Sequence, residues 1–485
     1  MGASQSQEQP APEDALFQPD ELTSLRKCYA VLASPSTGAL EEGAFARLRK
    51  GIAWPALYRQ MSVVGTPVRW QGFLSTVAKC CKARRSERLA AITALYTGDE
   101  TAPLTEAALL PLLNDALAAV SGGESEASLT SASTPQLHAI VADVLKGSAG
   151  GVVTIEQWIG WVTAQLPQLP LVTETFLLQY LCAVGRASSA GDATPTRAEV
   201  PPAALNACQE PLLRPADGQA EGAELLQATS AWLLSLAIPR SSGGEAAEWR
   251  CVYASRVMGL SMNRFSHHAD GYAGPTLLVV LCEGGEVFGA YVDTALKASD
   301  KFFGGPGCLL FTLAPSFHVY TPSGISKNFA LYNPPQTGQL ASTAYLNKSD
   351  AAAAPEVLAF GGQTARLRMS LEDDMNSLRW HTSDTTYGAH PVDGAAPADG
   401  VRKVRALELW GCGGADADRV AAELRSRRVR DANRAGKVDR GAMFGMGKGG
   451  DWRSEENPDR MILETAGAHT FYSAQLEKLP EEKKK

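Results

Sequence analysis

Thr276-Leu277-Leu278-Val279-Val280-Leu281-Cys282 is a short unbroken apolar run, and it suits a strand buried on both faces. Glu283-Gly284-Gly285-Glu286 follows, and Gly-Gly is a tight-turn signal. The next stretch, 287–292, then pairs back as the second arm of a hairpin. Residues 308–313, 318–321, 329–332, 357–360 and 402–410 are further strand candidates. Ala365-Arg366-Leu367-Arg368-Met369-Ser370-Leu371 alternates apolar and polar, which predicts a half-exposed strand. Many short strands with turn signals predict an antiparallel two-sheet sandwich.

This texture begins near Trp249. Before it, from 19 to about 184, apolar residues recur at three and four. Leu22, Leu25, Cys28, Tyr29 and Leu32 form one such stripe, with Asp20 placed to cap the helix and Glu21 to favour the positive end of its dipole. Residues 70–77, 88–96, 107–120, 136–145 and 155–166 read the same way, with a flexible loop at 122–134. Three connections, 33–44, 97–108 and 146–157, look like worn EF-hand loops. Calcium needs oxygen ligands at places one, three, five and twelve. The first loop offers Ala33, Pro35, Thr37 and Ala44 there, the second only Asp99 as a carboxylate, and the third starts with Lys146. A helix-loop-helix shape without calcium is expected. A stretch at 185–224, rich in Pro, Ala, Gly and Ser, reads as a linker and the main domain boundary.

The chain is therefore expected to be α+β: an all-helical, degenerate EF-hand-like part at 19–184, a two-sheet antiparallel sandwich with flanking helices at 225–414, and a short C-terminal helix. At 485 residues it is long enough for two or three domains with real cores. Its net charge of −7 excludes a chain built as a whole to neutralise nucleic-acid phosphate. No uncharged apolar stretch approaches the ~18 residues a membrane span needs. Nine cysteines without a Cys-x-x-Cys signal neither a disulfide framework nor a zinc site, and a reducing cytosol fits them.

Six pieces in order resemble a known family. Gly274-Pro275-Thr276-Leu277-Leu278, Val287-Phe288-Gly289-Ala290-Tyr291, Cys308-Leu309-Leu310-Phe311-Thr312-Leu313, Tyr320-Thr321, Phe360-Gly361-Gly362-Gln363 and Ala406-Leu407-Glu408-Leu409-Trp410-Gly411 are similar to the TLDc domain. The resemblance spans roughly 225–414. The whole layout resembles the myristoylated, mTOR-associated lysosomal branch of that family. It implies a role in oxidative-stress resistance and binding to cytosolic subunits of the vacuolar proton pump, the V-ATPase, or to TOR complex components. Read as residues, Gly289, Gly361 and Gly362 mark backbone that needs positive φ or close approach, and the resemblance implies a structural place for Gly274 as well. Phe288, Phe311 and Trp410 are expected to fill the core. Alternation places Glu408 with Ala406 and Trp410, either half-exposed or paired to a cation.

Candidate chemistry is sparse. His267-His268-Ala269-Asp270 is the densest set of ligating groups, but adjacent histidines on a strand point opposite ways, so a polar surface loop is the better reading. Cys251, Cys282 and Cys308 stand in apolar surroundings and read as small core residues rather than reactive thiols. His318 reads as a satisfied structural histidine. No nucleophile elbow, phosphate-binding loop or His-Glu-x-x-His is found. No catalytic residue, cofactor or metal site is assigned, and binding is favoured over an enzyme. The alternative is a soluble oxidative-stress enzyme with a pocket in the sandwich.

The Met1-Gly2-Ala3-Ser4-Gln5-Ser6 start fits the myristoylation pattern at Gly2. One such chain holds a membrane only marginally, so a second attachment is required. A basic stretch within 415–455 is one source: Arg425, Arg427, Arg428, Arg430, Arg434, Lys437, Arg440, Lys448 and Arg453 outweigh Asp431, Asp439 and Asp451. Such asymmetry marks contact with an anionic surface, at roughly 1 kcal/mol per basic residue near lipid. Few aromatics are interleaved, so nucleic acid is not the expected partner. At 456–485, Asn457-Pro458-Asp459 starts a short helix, and its apolar Ile462, Leu463 and Ala466 are expected to dock on a partner. The expected location is the cytoplasmic face of a lysosomal or vacuolar membrane, and also the cytoplasm.

Overall fold

The computed structural model describes residues 13–45, 54–64, 66–99, 101–120, 126–146, 148, 150–187, 211–215, 225–239, 248–334, 357–390 and 397–437. The chain divides into two units, Met1–Val420 and Ala421–Lys485. No described helix is long and apolar enough to cross a membrane.

The first unit opens with helices α1 (Pro19–Leu32), α2 (Glu42–Phe45), α3 (Trp54–Val64), α4 (Trp70–Cys81) and α5 (Arg85–Thr97). They continue as α6 (Glu106–Val120), α7 (Glu126–Leu145), α8 (Ile155–Gln165) and α9 (Leu169–Ala187). The cap of α1 falls on Gln18, not Asp20: Pro19 takes the first helical place and the Gln18 N–H donates to Glu21 Oε2 at 2.9 Å. Asp20 sits in the first turn, where it still meets the dipole. The connections at 97–108 and 146–157 pair with each other through their backbones. Leu104 and Val153, each eighth in its loop, exchange two backbone hydrogen bonds of 2.9 and 3.0 Å. The Leu40 N–H likewise donates to the Val68 carbonyl. The Asp99 carboxylate accepts from Thr101 N and Oγ1 within its own loop.

A short strand β1 (Leu212–Arg214) lies inside the stretch expected to be a linker and pairs in parallel with β2 (Glu248–Ala254). Between them stands α10 (Ala228–Ala237), apolar all round and almost wholly buried. After α11 (Ser255–Met258) and α12 (Met262–Ala269) come β3 (Thr276–Cys282), β4 (Val287–Val292), β5 (Leu309–Ala314), β6 (His318–Tyr320) and β7 (Ala330–Asn333). The chain goes on through β8 (Val357–Gln363), β9 (Arg366–Glu372), β10 (Ser377–Trp380), β11 (Ser383–Asp384), β12 (Gly388–Ala389) and β13 (Gly400–Gly411). A last helix, α13 (Gly414–Lys437), runs from the first unit into the second.

The strand order β6-β5-β4-β3-β13-β10-β9-β8-β7 is one hydrogen-bonded path, and β2 also pairs with β13. The twelve-residue β13 joins two sheets. Its first residues pair with β10, and from Val404 onward it pairs with β3. The register shift between Val404 and Ala406 falls where the strand changes sheets, and a bulge supplies the bend this requires. Rings from the two sheets meet: Phe288 of β4 and Tyr320 of β6 lie 5.0 and 5.5 Å from Trp380 of β10.

Two features depart from the sequence expectation. The strand over 366–372 is not half-exposed: Arg368 is completely buried, its guanidinium 4.9 and 4.5 Å from the Tyr320 and Trp380 rings. Stacking on aromatic faces lets a cation sit where alternation alone predicts solvent. The packing also runs across the stretch expected to be a linker. Helices α1, α3 and α4 share a core with α9, whereas Leu109, Leu137, Ile140, Trp158 and Leu166 of α6–α8 belong to one continuous core with Trp232, Trp249, Phe311 and Trp410.

Candidate functional site

Where α7 and α8 meet β6, the edge strand of the sheet path, polar groups from distant parts of the chain converge. An edge strand carries unpaired backbone groups that must be satisfied or covered. Gln165, the last residue of α8 and 5 % exposed, does this for Val319. Its Nε2 donates to the Val319 carbonyl at 3.2 Å, and its Oε1 accepts from the Val319 N–H at 2.6 Å. One side-chain amide thus stands in for a neighbouring strand. The Gln168 N–H donates to the Leu236 carbonyl at 3.1 Å and ties the same corner to α10.

Beside Gln165, Asp143 of α7, His318 of β6 and His390, just after β12, come together, and all three are buried. His318 Nδ1 lies 3.5 Å from Asp143 Oδ2, and His390 Nε2 lies 3.7 Å from Asp143 Oδ1. The two imidazole rings are 3.8 Å apart, centre to centre. Trp161 Nε1 donates to Asp143 Oδ2 at 3.2 Å. Burial pushes the Asp143 carboxyl up, but the imidazoles and the indole N–H outweigh it and hold the group at about 2. Burial pushes His318 down; Asp143 opposes that shift, while His390 and Arg368 add to it. The Arg368 guanidinium is held by the His381 carbonyl and by Asp384, 3.7 Å from its Nε. An ionised carboxylate with imidazole nitrogens converging on it is a donor set suited to a divalent cation of the zinc class.

The sequence pattern points to no metal site and to His318 as a satisfied structural histidine. The residue is buried, but its Nδ1 makes no hydrogen bond within the structure. Asp143 carried one faint signal, a carboxylate amid the apolar positions of a helix; His390 carried none.

The residues singled out from the family resemblance fall as follows. Gly361 and Gly362 have φ of 69° and 76°. At Gly289 a Cβ would land on the Phe311 ring and the Leu278 carbonyl, and at Gly274 it would press on Gly413 and Ala417. Phe288, Phe311 and Trp410 are buried. Glu408 is 1 % exposed rather than half-exposed. It accepts from the Leu225 and Leu226 N–H groups at 2.6 and 3.2 Å and from Trp410 Nε1 at 2.9 Å, anchoring the chain just ahead of α10. Alternation placed Glu408 beside Trp410, but it could not show that this face of β13 is covered.

His267 and His268 lie on α12, not on a strand or loop, with their rings 5.3 Å apart. Eight cysteines among the described residues are buried and outside any disulfide. Burial pushes Cys282 and Cys308 up to about 12 and Cys182 up to about 11.

In the second unit, the first half of the expected basic linker is helical. Arg425, Arg427, Arg430 and Arg434 are exposed on α13; Arg428 and Lys437 are part of the same helix. Gly2, Arg440, Lys448, Arg453, Ile462, Leu463 and Ala466 lie outside the described residues.

Residues 220–413 match the TLDc domain family. Among curated proteins, MTOR-associated protein MEAK7 of Danio rerio is 27 % identical over 183 residues, 37 % of this chain and 36 % of that protein. Oxidation resistance protein 1 of Bos taurus is 29 % identical over 144 residues, 30 % of this chain and 14 % of that protein. Nuclear receptor coactivator 7 of Mus musculus is 30 % identical over 114 residues, 22 % of this chain and 12 % of that protein. The matched stretch thus spans only about a third or less of each relative. The two-sheet architecture joined by β13 and the family match agree: this chain carries a TLDc domain at residues 220–413.

Proposed function

We propose that this chain is a regulatory binding protein that holds a large assembly at a lysosomal or vacuolar surface, and that it acts in TOR-linked signalling and oxidative-stress resistance. The TLDc match carries this reading, because relatives sharing that domain are named for mTOR association and for oxidation resistance. The cytosolic subunits of the V-ATPase are the partner the family resemblance implies, with TOR complex components as the second.

Membrane contact belongs to the same proposal. A myristoyl chain on Gly2 gives weak attachment, and the exposed arginines of α13 supply a basic face for anionic lipid. The degenerate EF-hand-like loops act here as structure, consistent with the backbone pairing of Leu104 and Val153. Docking of the 456–485 tail through Ile462, Leu463 and Ala466 completes the grip.

The rival reading, a soluble oxidative-stress enzyme with a catalytic pocket in the TLDc domain, is opposed in any thiol-based form by chemistry: the thiolate is the reactive form, and burial raises Cys182, Cys282, Cys308 and Cys412 away from it. Affinity purification of the full chain from native membranes, with mass spectrometry of co-eluting proteins, tests the proposal. Co-elution of pump or TOR subunits, with Gly2→Ala leaving the membrane fraction, is expected. A chain that elutes alone while the purified protein turns over peroxide would replace it with the enzyme.

A further inference from the structure

We propose that Asp143, His318 and His390 bind a divalent transition-metal cation of the zinc class, which pins helix α7 to the edge strand β6 and to the segment after β12. The argument is geometric. The two nitrogen–oxygen separations, 3.5 and 3.7 Å, exceed the ~2.7–3.2 Å of a hydrogen bond. Each is close to a ligand spacing around a metal ion, one to Asp143 Oδ2 and the other to Oδ1, so the carboxylate would bind through both oxygens or turn to present one to the ion. Two ligand atoms each ~2.1 Å from one zinc ion at the tetrahedral angle stand roughly 3.4 Å apart. One nitrogen from each histidine and one Asp143 oxygen all lie within 4.8 Å of one another, so the widest separation must shorten by up to about 1.4 Å to bring them onto a common centre.

Charge and support agree with this. The side chains of His318, His390 and Asp143 are 4 %, 4 % and 2 % exposed, so solvent does not screen the carboxylate. Arg368 faces His318 as well, and Asp384 lies beside its guanidinium. The pocket therefore has an excess negative charge to offer when both imidazoles are neutral, as ligands must be. Trp161 Nε1 donates to Asp143 Oδ2 and fixes the carboxylate's orientation, the outer-sphere support that metal ligands receive. Two imidazoles and a carboxylate are the ligand types zinc takes, leaving a fourth position for water.

The site joins segments that otherwise meet through apolar contact and the Gln165–Val319 pair. The cation would act as a staple between the helical layer and the TLDc sheet. This inference does not depend on the proposed partners.

The test uses the untagged full chain. Metal content is measured by plasma mass spectrometry after purification without chelator, and Co²⁺ is then added to chelator-stripped protein. About one equivalent of metal per chain is expected, with visible cobalt d–d bands of a nitrogen–oxygen site. His318→Gln and His390→Gln should each lose both signals, while His138→Gln, at a surface histidine, keeps them. Circular dichroism identifies any variant that has not folded. Independently of the variants, EDTA should lower the melting temperature of the unaltered chain by several degrees, and Zn²⁺ should restore it. The proposal is overturned if stripped wild-type protein gives no cobalt spectrum and no zinc-dependent melting shift, or if a folded His318→Gln variant retains both.

Discussion

The amide of Gln165 offers a direct measure of how firmly the helical layer holds the TLDc sheet. Its two hydrogen bonds to Val319 are buried, and removing it orphans both a backbone N–H and a carbonyl on an edge strand. Each bond contributes about 1 kcal/mol net, and each buried orphan costs about 1–3 kcal/mol; the terms overlap, so a total near 3 kcal/mol is the working figure. At ~1.4 kcal/mol per tenfold, amide exchange at Val319 should accelerate by roughly a hundredfold. Hydrogen–deuterium exchange with mass spectrometry on peptides covering β6 reads this without requiring two-state unfolding of so long a chain. Two variants separate bonding from volume. Gln165→Ala removes bonds and fills nothing, whereas Gln165→Met keeps the volume and loses the bonds. Both should expose β6, while peptides from α1, which belongs to a different core, should not change. If folded Gln165→Met retains β6 protection to within about twofold, the side-chain amide is not what satisfies the sheet edge, and the reasoning fails.

Three other expectations rest on single contacts. Glu408→Ala leaves the Leu225, Leu226 and Trp410 donors without their acceptor and should cost about 3–5 kcal/mol, seen as a large drop in melting temperature, with Glu408→Gln costing less. Gly289→Ala drives a methyl into the Phe311 ring and the Leu278 carbonyl; it should destabilise by at least about 1–3 kcal/mol in the same assay. Burial raises the Asp115 carboxyl from 3.8 to about 6, although Tyr96 Oη donates to it at 2.8 Å. The folded chain therefore holds this proton more tightly than the unfolded one. Its contribution is fully present below pH 3.8 and falls as pH rises to about 6, so Asp115→Asn should flatten that part of the melting-temperature profile. A variant profile parallel to wild type across this window would contradict the assignment.

Local pattern carried the strands and helices. The unbroken run from Thr276 to Cys282 and the helical spacing of 155–166 are statements about neighbours in sequence, and β3 and α8 follow them closely. The TLDc resemblance is of the same kind, since ordered short motifs survive in one dimension. Five of the described strands, β1, β2, β10, β11 and β12, escaped this reading. β1 has only three residues, and β10 only four, with Arg379 between Leu378 and Trp380. Neither is long enough for a period to stand out.

What only the tertiary structure decided is which faces are covered and which distant groups meet. Arg368 stands where alternation assigns solvent, and Glu408 where it predicts half-exposure or a cation partner, yet ring stacking and backbone donors receive them in the interior. The 185–224 stretch looked like a boundary, yet α6–α8 share their core with the sheet. Asp143, His318 and His390 come from three separate segments that no periodicity links. Periodicity specifies which side of an element is apolar. Packing chooses the opposing surface, and with it the polar groups that are brought face to face.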